Sequence, residues 1–376
     1  MPDVEQVVQS LSGIAEKFAA ETRERQNRRS LDPADFDALK AAGFLLTGVP
    51  AEAGGLWHGP AGSARDYSRL VRTLAHGDPS VALVAAMHPA VMAFFLSVEN
   101  VEDAPAAWAA QRQQLIELAR EDWWGTVTSE PGSGGDILKT RTRARPAAGE
   151  GFLLSGDKHF GSGSGLSRYM ITTAKVAGAD APELFYLSLR DVPWDGTGGC
   201  QLLAEWDGMG MTATQSHAFR FTDYPATKTV SAEILARCAP SSSQVSNLLF
   251  TGVILGVADN ALAFARGKLD GKIGSMRAFE QVEWIRCQNE LWLAEQAYEG
   301  ALRAIESAAP DAVKAAVRCK VTCAELVESA LSRMSKVVGG ASYSRAMPLA
   351  QWIEDVKALG FLRPPLPLAY DQLLSA

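Results

Sequence analysis

From Thr126 to Asp136 the chain reads Thr126-Val127-Thr128-Ser129-Glu130-Pro131-Gly132-Ser133-Gly134-Gly135-Asp136. Small hydroxyl residues suited to a strand give way to a turn almost free of side chains, and such a turn exposes backbone amides. A second stretch, Gly156-Asp157-Lys158-His159-Phe160-Gly161-Ser162-Gly163, places an aromatic ring and a hydroxyl two residues apart. On a strand, that spacing points Phe160 and Ser162 to the same side. Together the two stretches offer a planar, electron-poor ring a stacking surface and hydrogen bonds. The plain alternative is two decorated hairpin turns.

Working outward, the period around these stretches is two. Phe185, Leu187 and Leu189 alternate with less apolar partners, as do Ala218, Arg220 and Thr222 with His217, Phe219 and Phe221. Glycine and proline punctuate this block repeatedly, so short antiparallel strands in a small β-barrel or sandwich are expected. Before it the spacing is helical: Val4, Val7, Val8, Leu11, Ile14, Ala15 and Phe18 share a face. Asp32 and Pro33 open a second helix that Gly43 closes, and further helices are expected over Ala61–His76, Ser80–Val98 and Pro105–Arg120. After the block, long helices return over Gln244–Leu269, Ala278–Ala308, Asp311–Val338 and Pro348–Leu359. Segregated blocks rather than alternating βαβ units predict an α+β chain. Its parts are an N-terminal helical domain (1–120), a central β-barrel (121–230) and a C-terminal four-helix bundle (231–376).

The 376 residues are 47% hydrophobic and 21% charged, the profile of a globular protein. Thirty-six basic against forty-three acidic residues give a net charge of −7, which leaves no field to hold a nucleic acid. The first thirty residues lack a secretory apolar run, and Val81–Leu96 is too short to cross a bilayer and reads as a buried helix. Five cysteines, Cys200, Cys238, Cys287, Cys319 and Cys323, form no paired framework, so a reducing, cytoplasmic setting is expected. Cys319 and Cys323 sit four apart without a third ligand, and no metal is expected. The histidines are scattered, with no H-E-x-x-H, G-x-S-x-G or Walker pattern. Gly208-Met209-Gly210 only loosely echoes a dinucleotide fingerprint, because no parallel strand and helix flank it.

With Ser129–Asp136 and Gly156–Gly163 in view, the chain resembles the acyl-CoA dehydrogenase superfamily of flavoproteins. That family carries T-E-P-G-x-G-S-D followed by G-x-K-x-[FWY]-I-[TS]-N-[GA]. Two further echoes stand in the family's order. Trp206-Asp207-Gly208-Met209-Gly210-Met211 runs on to Phe221-Thr222-Asp223-Tyr224-Pro225, and Val338-Gly339-Gly340-Ala341-Ser342-Tyr343-Ser344 precedes Pro348 and Ile353-Glu354-Asp355. The resemblance covers essentially the whole chain. It implies FAD, or alternatively FMN, held between the barrel and the C-terminal helices of a homodimer or homotetramer. Val127, Thr128 and Ser129 would approach the isoalloxazine ring, Phe160 and Ser162 would line its other side, and Gly339-Gly340 would meet the neighbouring subunit's cofactor. A small-molecule substrate and an electron-transfer flavoprotein or flavin reductase are the implied partners.

Departures from the family bear on the reaction. Dehydrogenases of the family use a glutamate base at one of two places, which align with Arg363 and Ser246; neither is a carboxylate, and Gln351 nearby is a neutral amide. The family's phosphate-binding arginine aligns with Asp270, with Lys268 and Lys272 as substitutes. No catalytic residue is therefore assigned. The first expectation is an oxidoreductase acting on an acyl thioester or similar carbonyl compound. The alternative is a two-component reduced-flavin monooxygenase, whose F-x-[ST]-G loop Phe160-Gly161-Ser162-Gly163 matches; there Ser162 would hydrogen-bond the oxygenated flavin and His88 would serve as its acid. That branch also has a C-terminal histidine, and none follows His217. A third reading is a catalytically silent flavin-binding scaffold.

Overall fold

A computed structural model describes residues 3–97, 106–149, 151–229 and 232–375. The expected helix ends at Val98 and Pro105, and the boundary at 230/231, lie outside them. The N-terminal unit contains α1 (Val4–Ala20), α2 (Thr22–Asn27), α3 (Pro33–Ala41), α4 (Gly59–Gly77), α5 (Pro79–Leu96) and α6 (Ala106–Glu121). Asp32 caps α3 as its sequence implies, its carboxylate accepting from the Ala34 amide. Asp78 does the same for α5, ahead of a proline in the first turn. Every residue of α5 from Ser80 to Leu96 is buried. Among the described residues two helical segments, Pro79–Leu96 and Ala236–Leu269, are long and apolar enough to cross a membrane, so the helix holding Val81–Leu96 is not too short as expected; 94% and 72% of their most apolar eighteen-residue stretches are buried within the protein.

Among the described residues seven strands follow: β1 (Trp124–Thr126), β2 (Arg143–Pro146), β3 (Phe152–Gly161), β4 (Tyr169–Val176), β5 (Glu183–Leu187), β6 (Cys200–Ala204) and β7 (His217–Lys228). The pairings β4-β2-β3-β7-β5-β4 close a ring, which removes the open edges of a flat sheet. The small barrel expected from the period is therefore present. Its strands are not all antiparallel, however, because β4 runs parallel to both β1 and β2. Alternation marks which strands are half-buried but carries no information on the direction of a non-adjacent neighbour.

The C-terminal helices are α7 (Ala232–Leu269), α8 (Ala278–Glu306), α9 (Ala312–Val338), α10 (Leu349–Gly360) and α11 (Leu366–Leu374). Helix α7 starts well before the expected Gln244 and runs through Pro240, eight residues inside it. One proline removes a single backbone bond, and a long packed helix tolerates that loss. Among the described residues the expected four helices become five, since α11 follows a proline-rich stretch that reads as a loop. Side chains from α1, α4 and α5 share one apolar core with those of α7, α8, α9 and α10, while the barrel encloses a separate core of its own. The two helical units thus join around the barrel's flank.

Candidate active site

The loop Ser129–Asp136 leaves β1 and is fastened from below. Glu130 is buried, and Lys158 of β3, with no exposure at all, donates to its Oε1 at 2.6 Å. The hydroxyls of Thr140 and Thr142 and the amides of Arg141 and Thr142 also donate to this carboxylate. Burial alone would raise the Glu130 pKa; the bonds from Lys158 and Thr140 and the Arg141 amide outweigh it and hold the group at about 2. Lys158 completes its donors on the Thr140 hydroxyl and the Thr173 carbonyl. The pair is ionised and fully bonded, which is the condition under which a buried charge pair is tolerated. These two motif residues hold the loop and do not face a ligand.

The structure brings five of the seven sequence-derived site residues together. Ser129 bridges to His159, whose amide donates to the Ser129 carbonyl at 2.8 Å, so the two quoted stretches lie side by side. An added Cβ on Gly161 would come within 2.7 Å of Ser164 Oγ and 3.2 Å of Val127, which explains the glycine. Val127 is fully buried, its amide spent on the Ile171 carbonyl and its carbonyl on the Thr172 hydroxyl. It supports the site from behind. Thr128 and Ser129 are half-buried, and the Thr128 hydroxyl has no protein partner among the described residues.

Phe160 and Ser162 do not point the same way. A register shift between Lys158 and Gly161 breaks the ladder, and Phe160 takes a φ of 59°, a left-handed conformation costly for an aromatic residue. The residue is 57% exposed, with the edge of Trp206 at 6.2 Å and His159 beside it. Ser162 turns inward instead and shares its hydroxyl with Ser216, which in turn bonds Thr214. Gly339 caps α9 with a φ of 97°, and a Cβ on either Gly339 or Gly340 would meet nothing within 4 Å. No hydrogen bond among the described residues links these two glycines to the barrel loops.

Sequence reasoning gave Arg363 no role at the site. Its guanidinium donates to the Ser129 hydroxyl at 3.0 Å and to the Gly135 carbonyl at 2.8 Å. The segment carrying it is anchored twice. Lys320 of α9, fully buried, donates to the carbonyls of Leu362 and Pro364, and the Pro365 ring sits where a Cβ on Gly135 would be, 2.5 Å away. Upstream, α10 grips the third motif: Asp355 accepts from the Met211 amide at 2.7 Å, Gln351 donates to the Met209 carbonyl, and a Cβ on Gly210 would lie 2.1 Å from the Glu354 carbonyl oxygen. Of the other residues named from the sequence, Ser246 points its hydroxyl at the Ser243 carbonyl, and Asp270 lies exposed in the turn after α7. His88 is fully buried with Nε2 at 3.1 Å from the Leu45 carbonyl, and burial drives its pKa down to about 4. Its one proton is committed to that carbonyl. Cys319 and Cys323 are buried with their sulfurs 3.9 Å apart.

The residues present suit a flavin. A largely exposed aromatic ring stands on left-handed backbone, a threonine hydroxyl without a partner among the described residues and a serine stand on the loop paired beside it, and the neighbouring acid is turned away into the loop's floor. Such a site on this fold defines a flavoprotein oxidoreductase. The acyl-CoA dehydrogenase middle domain matches residues 125–224 and the acyl-CoA dehydrogenase C-terminal domain matches residues 250–363. The chain belongs to the acyl-CoA dehydrogenase superfamily. It is similar to a dibenzothiophene monooxygenase of Rhodococcus erythropolis (27% identity over 312 residues, 77% of this chain and 70% of that protein). It is also similar to an L-evernosamine nitrososynthase of Micromonospora sp. (25% identity, 95% of this chain and 86% of that protein). Among solved structures, butyryl-CoA dehydrogenase of Megasphaera elsdenii superposes with a TM-score of 0.82 (19% identity, 100% and 99% covered). FMN-bound TdsC from Paenibacillus sp. A11-2 does so at 0.79 (18% identity, 98% and 96% covered).

Proposed function

We propose that this protein is a reduced-flavin monooxygenase acting on a small molecule, with FMN against Thr128, Ser129 and Phe160 and electrons supplied through a separate flavin reductase. One observation carries the choice over acyl-thioester desaturation: Arg363, aligned with a dehydrogenase base, lies on Ser129 as a bonded guanidinium. Burial lowers its pKa only to about 10, so it holds its proton at neutral pH and takes none from a thioester α-carbon. Bound reduced flavin would supply two electrons and the place where O2 reacts; one oxygen atom goes to the substrate and the other leaves as water. This chain's residues then have limited tasks. Phe160 and Trp206 present an apolar surface, the Ser129 hydroxyl orients the ring edge, and the Glu130–Lys158 pair keeps the loop from moving. The relatives named as monooxygenase and nitrososynthase support the reading. Asp270, an acid where the superfamily's arginine would meet a diphosphate, favours FMN over FAD.

A homo-oligomer completes the proposal. Phe279, Val282, Ile285, Trp292 and Leu293 form an exposed apolar stripe on α8, suited to a second copy, and Gly339-Gly340 are open to a neighbour's cofactor. The test mixes FMN-loaded protein with saturated acyl-CoA thioesters under anaerobic conditions, and separately supplies reduced FMN and O2 with a panel of small thio and amino compounds. The expected result is no bleaching in the first arm and oxygenated product in the second. Bleaching by an acyl-CoA overturns the proposal.

A further inference from the structure

Resting on the reading just given, we propose that Arg363 is a specificity-determining residue and that the substrate class is a small molecule bearing an oxyanion, a sulfinate or a carboxylate. The argument starts from what the guanidinium lacks. Both of its hydrogen bonds go to neutral acceptors, the Ser129 hydroxyl and the Gly135 carbonyl, and no carboxylate lies within ion-pair distance of it among the described residues. Asp136, whose field it feels, is already committed to the Leu138 amide and lies 3.7 Å from Lys139. The next charge inward, Lys158, is a cation that Glu130 neutralises. Arg363 therefore brings the loop a positive charge with no ion-pair partner among the described residues.

Its placement is not that of a surface arginine. Arg363 is half-buried, and desolvation acts against its charged form. Tying the segment to Ser129 and Gly135 calls for neutral donors and no charge, since both are ordinary hydrogen-bond acceptors. What only a guanidinium adds is charge and a five-donor fork, of which two donors are used, and that fork matches an oxyanion bidentately. The segment is also fixed in advance: Lys320 holds the carbonyls on either side of Arg363, and Pro365 is wedged on Gly135. An anion bound there would lie beside Ser129, at the reacting face, so recognition and reaction would share one place.

Calorimetric titration of the full chain, with and without FMN, tests this with matched probes: methanesulfinate against dimethyl sulfoxide, and propanoate against propanamide. The wild type is expected to bind at least one anion ten-fold or more tighter than its neutral partner, and the anion preferred tells sulfinate from carboxylate. Arg363→Gln is expected to abolish that preference while leaving the neutral probes unchanged. Arg363→Lys, which keeps the charge and the fold but not the fork, should weaken anion binding several-fold. No anion preference in the wild type, or a preference that survives in Arg363→Gln or is undiminished in Arg363→Lys, overturns the proposal. Failure to bind FMN alongside an intact anion preference would instead sink the flavin reading and leave this one standing.

Discussion

The two faces of the Ser129–Asp136 loop each meet a cation, and the two cations are treated in opposite ways. Below, Lys158 is sealed from water, paired with Glu130 and bonded at every donor. Above, Arg363 is half-buried, bonded to neutral groups and without an acid at ion-pair distance among the described residues. The first arrangement holds a structure together, because a buried charge is stable only when its counter-charge and hydrogen bonds are all present. The second is incomplete in the folded chain, and incompleteness at a site is what a ligand can repair. The difference lies in the partners, since lysine and arginine alone would suggest similar surface roles.

The comparison breaks most readily from below. Glu130→Gln should cost about 3–5 kcal/mol, read as a fall in denaturation midpoint, because it strands the Lys158 charge. The double change Glu130→Gln with Lys158→Met should restore most of that loss. A double variant as unstable as the single one would show that the carboxylate's other bonds, not the pair, hold the loop. Next in size is the buried acid on the helix leading to Arg363. Burial raises Asp355 from an ordinary carboxylate value to about 7. Its contribution is complete below about pH 4 and is lost as pH rises through 7, since the unfolded chain ionises first. Asp355→Asn should therefore flatten the pH profile between 4 and 7 and add on the order of 2 kcal/mol at pH 8; a profile unchanged by the substitution would contradict this. The smallest effect sharpens the contrast: Arg363→Gln should shift stability by less than about 1 kcal/mol. A loss comparable to that of Glu130→Gln would make Arg363 a structural pin like Lys158.

Much of the site was legible from the chain because its signals are local. The glycines of 132–135 and 161–163, the hydroxyls of Thr128 and Ser129, and the aromatic Phe160 announce a strand-and-turn platform without any knowledge of the fold. That Phe160 and Ser162 diverge, against the shared side their spacing implies, was not legible. It depends on a bulge fixed by the register of β3 against β7, and a one-residue slip sends a side chain to the opposite face. Glu130 and Lys158 were quoted as motif residues without a role, since only the barrel's closure shows that they meet inside it.

Sequence by itself determined the blocks, helix, strand and helix again, because periods of 3.6 and 2 and the capping residues are short-range properties of the chain. Its motifs also carry the expectation of which residues would serve a flavin, and its alignment with the family's motifs the expectation that neither place for the base holds a carboxylate. Tertiary structure alone decided that Arg363 lies on Ser129, which is 234 residues away along the chain. The physical reason is that charge compensation is a property of distance in space: whether a cation is paired, bonded or left waiting depends on which segments the packed core brings within about 3 Å, and no local pattern encodes that.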